Sequence, residues 1–150
     1  MIYALKENDR SEGYFCPRME INQLIWNLKI KEFDKLGLLL LHLEIKSKSL
    51  PSLTLEKQAE VLRDKLTYLD EDFSLVEHDR STHTIILRSD LPHRIENTVN
   101  YYEIVLKGGH ELSFGRYEFD KGAGKRQICP ANLSRVAFER LLADFEALLS

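Results

Sequence analysis

The residues best suited to chemistry in this chain are aromatic rings set beside cations. They are Tyr101 and Lys107 in "YYEIVLK", Phe114 and Arg116 in "SFGRYEF", and Lys125 and Arg126 in "GAGKRQ". Lys29 and Lys31 in "WNLKIKEF" and His42 in "LLLHLEI" extend the set into the first half. Rings can stack on nucleic-acid bases, and Lys or Arg can neutralise phosphates with release of counterions. The chemistry implied is binding of a single strand, not bond making. The competing interpretation is solvated strand charge over a face buried against another part of the chain or a second copy.

Other chemistries have less behind them. His78 and His83 are five residues apart, on opposite faces of a continuous strand, although the Asp79-Arg80-Ser81 turn could bring them together. No Cys or carboxylate pair adds ligand spacing, so no metal or other cofactor is expected. "GAGK" (Gly122 to Lys125) has Arg126 where a phosphate loop needs Ser or Thr, and lacks the earlier glycine, so it is expected to be a hairpin loop. Ser81, Ser113 and Ser134 have no visible His and Asp partners, and a non-enzymatic protein is expected.

With 150 residues, 43% hydrophobic and 30% charged, the chain can bury a sizeable core. The longest uncharged apolar run, Leu36 to Leu41, is far short of a membrane span, and no membrane partner is expected. "MIYALKENDR" lacks a secretory pattern, so a cytoplasmic location is expected. Cys16 and Cys129 show no paired spacing and are expected to be small buried hydrophobes. The net charge of −3 opposes a strongly basic binder, but its distribution is uneven. Residues 22–52 carry +2 and residues 101–130 carry +1, whereas residues 53–72 carry −3.

Apolar periodicity supplies the elements that must position these groups. Leu55, Ala59, Leu62, Leu66 and Leu69 repeat at helical steps after a Thr54 cap. Phe138, Leu141, Leu142, Phe145, Leu148 and Leu149 do so after Ser134 or Asn132. Period two marks "WNLKIKEF" and "YYEIVLK" as strands, each followed by a turn, at Asp34 to Gly37 and at Gly108-Gly109. "LVEHD" and "THTIILR" read as two more strands around "DRS". On the strand from Leu38 to Ile45, the parity predicts Leu39, Leu41, Leu43 and Ile45 toward a helix, with Leu38, Leu40, His42 and Glu44 opposite. The same parity exposes Leu112, Phe114, Arg116 and Glu118.

The chain also matches itself. "LKENDRS" (Leu5 to Ser11) and "LVEHDRS" (Leu75 to Ser81) agree at five of seven positions, 70 residues apart. Further blocks align at offsets of 74 and 80, in the same order. "DRS" is read as turn chemistry, because Asp and Ser cap a reversing backbone. The expected architecture is α+β: two tandem ββββα repeats, residues 1–72 and 73–150, forming one globular domain. Each antiparallel sheet would be covered on one face by its helix, and the two would be related by a pseudo-twofold.

Arg116-Tyr117 at a strand end, Asp120-Lys121-Gly122, the basic Lys125-Arg126, a Leu-Ser helix start and a Phe-containing last helix resemble the PUR repeat. They are also similar to the single-stranded DNA-binding domain of the transcriptional positive cofactor four family. The resemblance covers roughly the last 50 residues, and extends to the first half only through the internal repeat. With the Whirly proteins, these families pair units of four strands and a helix. It implies binding of single-stranded DNA or RNA on the sheet face away from the helices. The partner is then a single-stranded nucleic acid bound by Lys29, Lys31, His42, Tyr101, Lys107, Phe114, Arg116, Lys125 and Arg126. The alternative is a protein partner seated on the same apolar sheet face, "LGLLLLHL" in particular, and a homo-oligomer is compatible with either.

Overall fold

The computed structural model describes residues 10–11, 13–90, 94–95 and 97–150. Its strands are β1 (Arg10–Ser11), β2 (Tyr14–Phe15), β3 (Arg18–Ile21), β4 (Leu24–Phe33), β5 (Gly37–Ser47), β6 (Phe73–Asp79), β7 (Thr84–Ser89), β8 (Arg94–Ile95), β9 (Thr98–Lys107), β10 (Glu111–Asp120), β11 (Lys125–Cys129) and β12 (Ala131–Ser134). Helix α1 (Leu55–Lys65) runs into a 3-10 turn at Leu66–Leu69, and α2 (Arg135–Leu149) ends the chain.

Both helices start as their sequences predict. The Thr54 hydroxyl accepts the Lys57 amide at 3.3 Å, and the Ser134 hydroxyl accepts the Ala137 amide at 3.1 Å. Each satisfies an amide that the first turn leaves without a helical partner. Three hairpins share one device. Asp34, Asp79 and Asp120 each accept the amides two and three residues ahead, at 2.8 to 3.4 Å. The Asp-Arg-Ser stretch at residues 79–81 is therefore a turn held by its own carboxylate. Its earlier match, residues 5–11, lies outside the described residues except for the backbone of Arg10 and Ser11 in β1. The Gly108-Gly109 turn between β9 and β10 uses positive φ at both residues, 62° and 80°, which a side chain would oppose.

The expected pair of separate sheets is replaced by one antiparallel sheet, ordered β1-β2-β4-β5-β10-β9-β7-β6. β3, β8, β11 and β12 are added beside β4, β9, β10 and β5. The seam is β5 against β10, where Leu43 faces Phe114 and Ile45 faces Leu112. Beyond it β5 turns to β12, and Gly37 lets them approach: a Cβ there would lie 2.4 Å from the Leu133 carbonyl oxygen. Two separate four-stranded sheets would leave both inner edges unpaired, and joining them satisfies those backbone groups.

Nor is each helix confined to the strands of its own half. α1, which follows β5, packs on β6, β7 and β9, whereas α2, which follows β12, packs on β5, β12 and α1. Both fill one core, in which Leu62, Leu66, Phe138, Leu141 and Phe145 meet Leu43, Ile45, Ile85, Leu87, Ile104 and Phe114. Polar ties fix the crossing. Gln58 Nε2 donates to the Gly109 carbonyl at 2.8 Å, and the Tyr68 hydroxyl donates to Asp144 at 2.8 Å with the Arg140 guanidinium 4.3 Å above its ring. Burial, helped by Asp144, pushes the Tyr68 hydroxyl well above the usual phenol range, so it remains a donor.

Phe114 sits at the centre of this core, 1% exposed, with Tyr102 stacked at 5.4 Å and Phe145 edge-on at 5.7 Å. Phe114→Ala is expected to lower the unfolding free energy by about 3–5 kcal/mol. Urea denaturation without ligand measures it, and an unchanged midpoint would place the ring outside the core.

Candidate functional site on the helix-free sheet face

Directly paired residues of neighbouring strands share a face, so the register shows what the helices leave uncovered. Tyr117 pairs with Tyr101, Phe119 with Val99 and with Arg126, and Glu103 with Arg88 and Gly115. These side chains alternate with Tyr102, Ile104 and Arg116 and point away from α1 and α2.

The centre of the group is Glu103, which is 5% exposed. Its Oε2 accepts Arg88 Nε at 2.8 Å and Arg126 Nη1 at 2.8 Å, and its Oε1 accepts Arg126 Nη2 at 3.3 Å. Arg126 Nη1 also reaches the Tyr101 hydroxyl at 3.3 Å. The guanidinium of Arg126 lies 4.0 Å over the Tyr117 ring and that of Arg88 lies 5.2 Å over Tyr101, the two rings being 6.1 Å apart. Hydrogen bonding to Glu103 raises the Arg126 pKa further, and burial raises that of Tyr117, so one stays cationic and the other neutral. Beside them a cleft of about 490 Å³ is lined by Arg88, Val99, Tyr101, Phe119, Lys121, Gly124 and Arg126. One carboxylate serves two guanidiniums, with Lys121 added at the rim, so an excess of positive charge borders aromatic and apolar surface.

Of the nine residues expected to bind nucleic acid, Tyr101 and Arg126 belong to this cluster. Lys29 and His42 are cross-strand partners on the same face of β4 and β5, where Lys29 Nζ lies 4.6 Å over the Tyr14 ring. Lys107 is exposed at the other end of β9, six residues from Tyr101, or about 20 Å along a strand. Lys31 is exposed in the irregular stretch of β4, and Lys125 is exposed with the parity opposite to Arg126.

Phe114 and Arg116 do not lie on this face. Arg116 Nη1 donates to Glu71 Oε2 at 2.9 Å, Ser89 Oγ donates to Glu71 Oε1 at 2.9 Å, and the Arg116 guanidinium lies 4.4 Å over Tyr102. A bulge explains the error. Lys29 pairs with His42 but Ile30 pairs with Leu40, which leaves Leu41 unmatched and reverses the parity of β5 at that point. Leu38 and Leu40 therefore join Leu43 and Ile45 in the core, while His42 and Glu44 remain on the helix-free face. The parity of Leu43 and Ile45, carried past the bulge and onto β10, turned Leu112, Phe114 and Arg116 outward. Of the apolar stretch "LGLLLLHL", Leu38, Leu40 and Leu43 are buried, Leu39 and Leu41 are partly buried and Leu36 is exposed.

Arg88, Glu103, Tyr117, Phe119 and Lys121 were not chosen from the sequence. The alternation of "THTIILRS" and "YYEIVLK" carries Arg88 and Glu103 outward, but only the pairing of β7 with β9 brings them together. Lys121 and Gly124 belong to the β10–β11 hairpin loop, whose Gly122 and Ala123 amides are spent on Asp120. Cys16 is exposed, against expectation, and Cys129 is partly buried, which pushes its thiol up. Among the described residues no group of three or more His, Cys, Asp or Glu could hold a metal ion, and no helix is long and apolar enough to cross a membrane. Compared with protein-family models, curated proteins and solved structures, the chain matches none of them.

Burial also holds the His42 imidazole below its ordinary value of 6.5, an effect that Lys29 reinforces and Glu44 opposes. As pH falls through about 6.5 the unfolded chain takes up a proton that folded His42 refuses, so the stability present above that pH declines below it. The urea midpoint is expected to drop between pH 7.5 and 5.5, and His42→Asn is expected to flatten that slope. An identical slope in the variant would remove His42 as the cause.

Proposed function

We propose that the chain is a non-enzymatic single-stranded nucleic-acid-binding protein that uses the sheet face free of helices. The observation that carries this proposal is the convergence of Arg88, Arg126 and Lys121 on Tyr101, Tyr117 and Phe119 beside an open cleft. Planar rings and guanidiniums accept bases by stacking, which requires base faces that a duplex keeps covered, and the cations accept phosphates. Lys29 and Lys107 extend the positive charge along the same face. Because Glu103 offsets one arginine and Glu44 pairs with Lys46, the affinity is modest and strongly dependent on salt. The resemblance of roughly the last 50 residues to PUR-like binders points the same way.

Titration of labelled single-stranded and double-stranded oligonucleotides of one sequence at 50 and 200 mM salt tests the proposal. The single strand is expected to bind more tightly, and to weaken with salt. Phe119→Ala is expected to weaken it by about 1–3 kcal/mol through loss of stacking. Lys121→Ala is expected to lower the slope of log affinity against log salt by about 0.7. Absence of binding at low salt, or binding indifferent to both substitutions, overturns it.

A further inference from the structure

We propose, resting on the function above, that the cleft beside β9, β10 and β11 is a pocket for one nucleotide. Its base would lie against Phe119 and Val99, its phosphate would meet Arg88 and Lys121, and Glu103 would be the positioning residue that orients both guanidiniums. Three observations lead there. Arg88 and Arg126 already cover the Tyr101 and Tyr117 rings, so the apolar surface left to a base is that of Phe119 and Val99. The cleft of about 490 Å³ is in the size range of sites that enclose a small ligand, and its apolar floor under a cationic rim suits a planar anion.

The third observation is the distribution of donors. Arg88 gives only Nε to Glu103, and among the described residues its Nη groups make no protein hydrogen bond, while its side chain is 40% exposed. Glu103 has both oxygens engaged and is almost wholly buried, so it acts as a buttress beneath the arginines. Two guanidiniums and Lys121 against one carboxylate leave a charge of +2 for a phosphate. A guanidinium held by a carboxylate on one edge presents its other edge to an anion with little further ordering cost.

The test is titration of the full-length chain with a nucleoside 5′-monophosphate, the unphosphorylated nucleoside and inorganic phosphate, followed by calorimetry and by amide NMR shifts. The monophosphate is expected to shift the Val99 and Gly124 amides and to bind about tenfold more tightly than the nucleoside. Phe119→Ala is expected to weaken it about tenfold. Glu103→Gln removes a negative charge, so simple attraction would tighten the monophosphate. A positioning role instead weakens it about tenfold and leaves the nucleoside unchanged, whereas structural collapse would weaken both. If Glu103→Gln does not fold, Lys121→Ala must still reduce the preference for the monophosphate over the nucleoside. Tighter monophosphate binding by Glu103→Gln overturns the positioning role. Oligonucleotide binding without monophosphate shifts at Val99 and Gly124 overturns the pocket and leaves the broader function standing. Monophosphate binding without oligonucleotide binding does the reverse.

Discussion

The structure depends on the antiparallel pairing of β5 with β10. Through it Leu43 and Ile45 from one half of the chain and Phe114 and Leu112 from the other form a single apolar surface. Once those strands are joined, neither half has an inner edge left to protect, and two helices suffice to cover one side of the sheet. The other side is left to side chains that alternate with the core, and there polar, aromatic and charged residues collect.

That division explains why two arginines ten residues apart have opposite roles. Arg116 and Arg126 both lie over tyrosine rings, and both pair with a glutamate of low exposure. Arg116 is on the helix side of β10, where Glu71 at the end of the α1 segment and Ser89 of β7 complete a structural network. Arg126 is on the open side of β11, where Glu103 steadies it without enclosing it. A difference of strand parity decides between packing and recognition.

The helices, their caps, the aspartate turns and the strands around Trp26 and Tyr102 were legible in the sequence because each is encoded within a few residues. The outward side of Tyr101 was legible for the same reason, since period two sets it opposite Tyr102, whereas Lys125 and Arg126 read only as a basic pair and the pairing of β11 with β10 separates their faces. What the sequence left open is non-local. Apolar periodicity assigns a face to a residue but does not name the neighbouring strand, so the seam between β5 and β10 and the approach of Arg88 to Glu103 left no local mark. The bulge at Leu41 added a subtler fault. In "LGLLLLHL" the residues on the near side of the irregularity, Leu38 to Leu41, are all apolar, so the reversal of parity there has no polar residue to betray it, and Phe114 and Arg116 were turned to the wrong side.

The crossing of the helices has a consequence for how the chain reaches its native state. α1 is complete by Lys65, but the strands that bury it, β7 and β9, end at Ser89 and Lys107. During synthesis the apolar stripe of Leu55, Ala59, Leu62 and Leu66 must wait for some forty further residues before it has a surface to meet. β5 in turn waits for α2, which begins only at Arg135. Closure of these long loops puts the entropy cost ahead of the gain from burial, which favours slow, late and concerted folding over assembly of one half at a time.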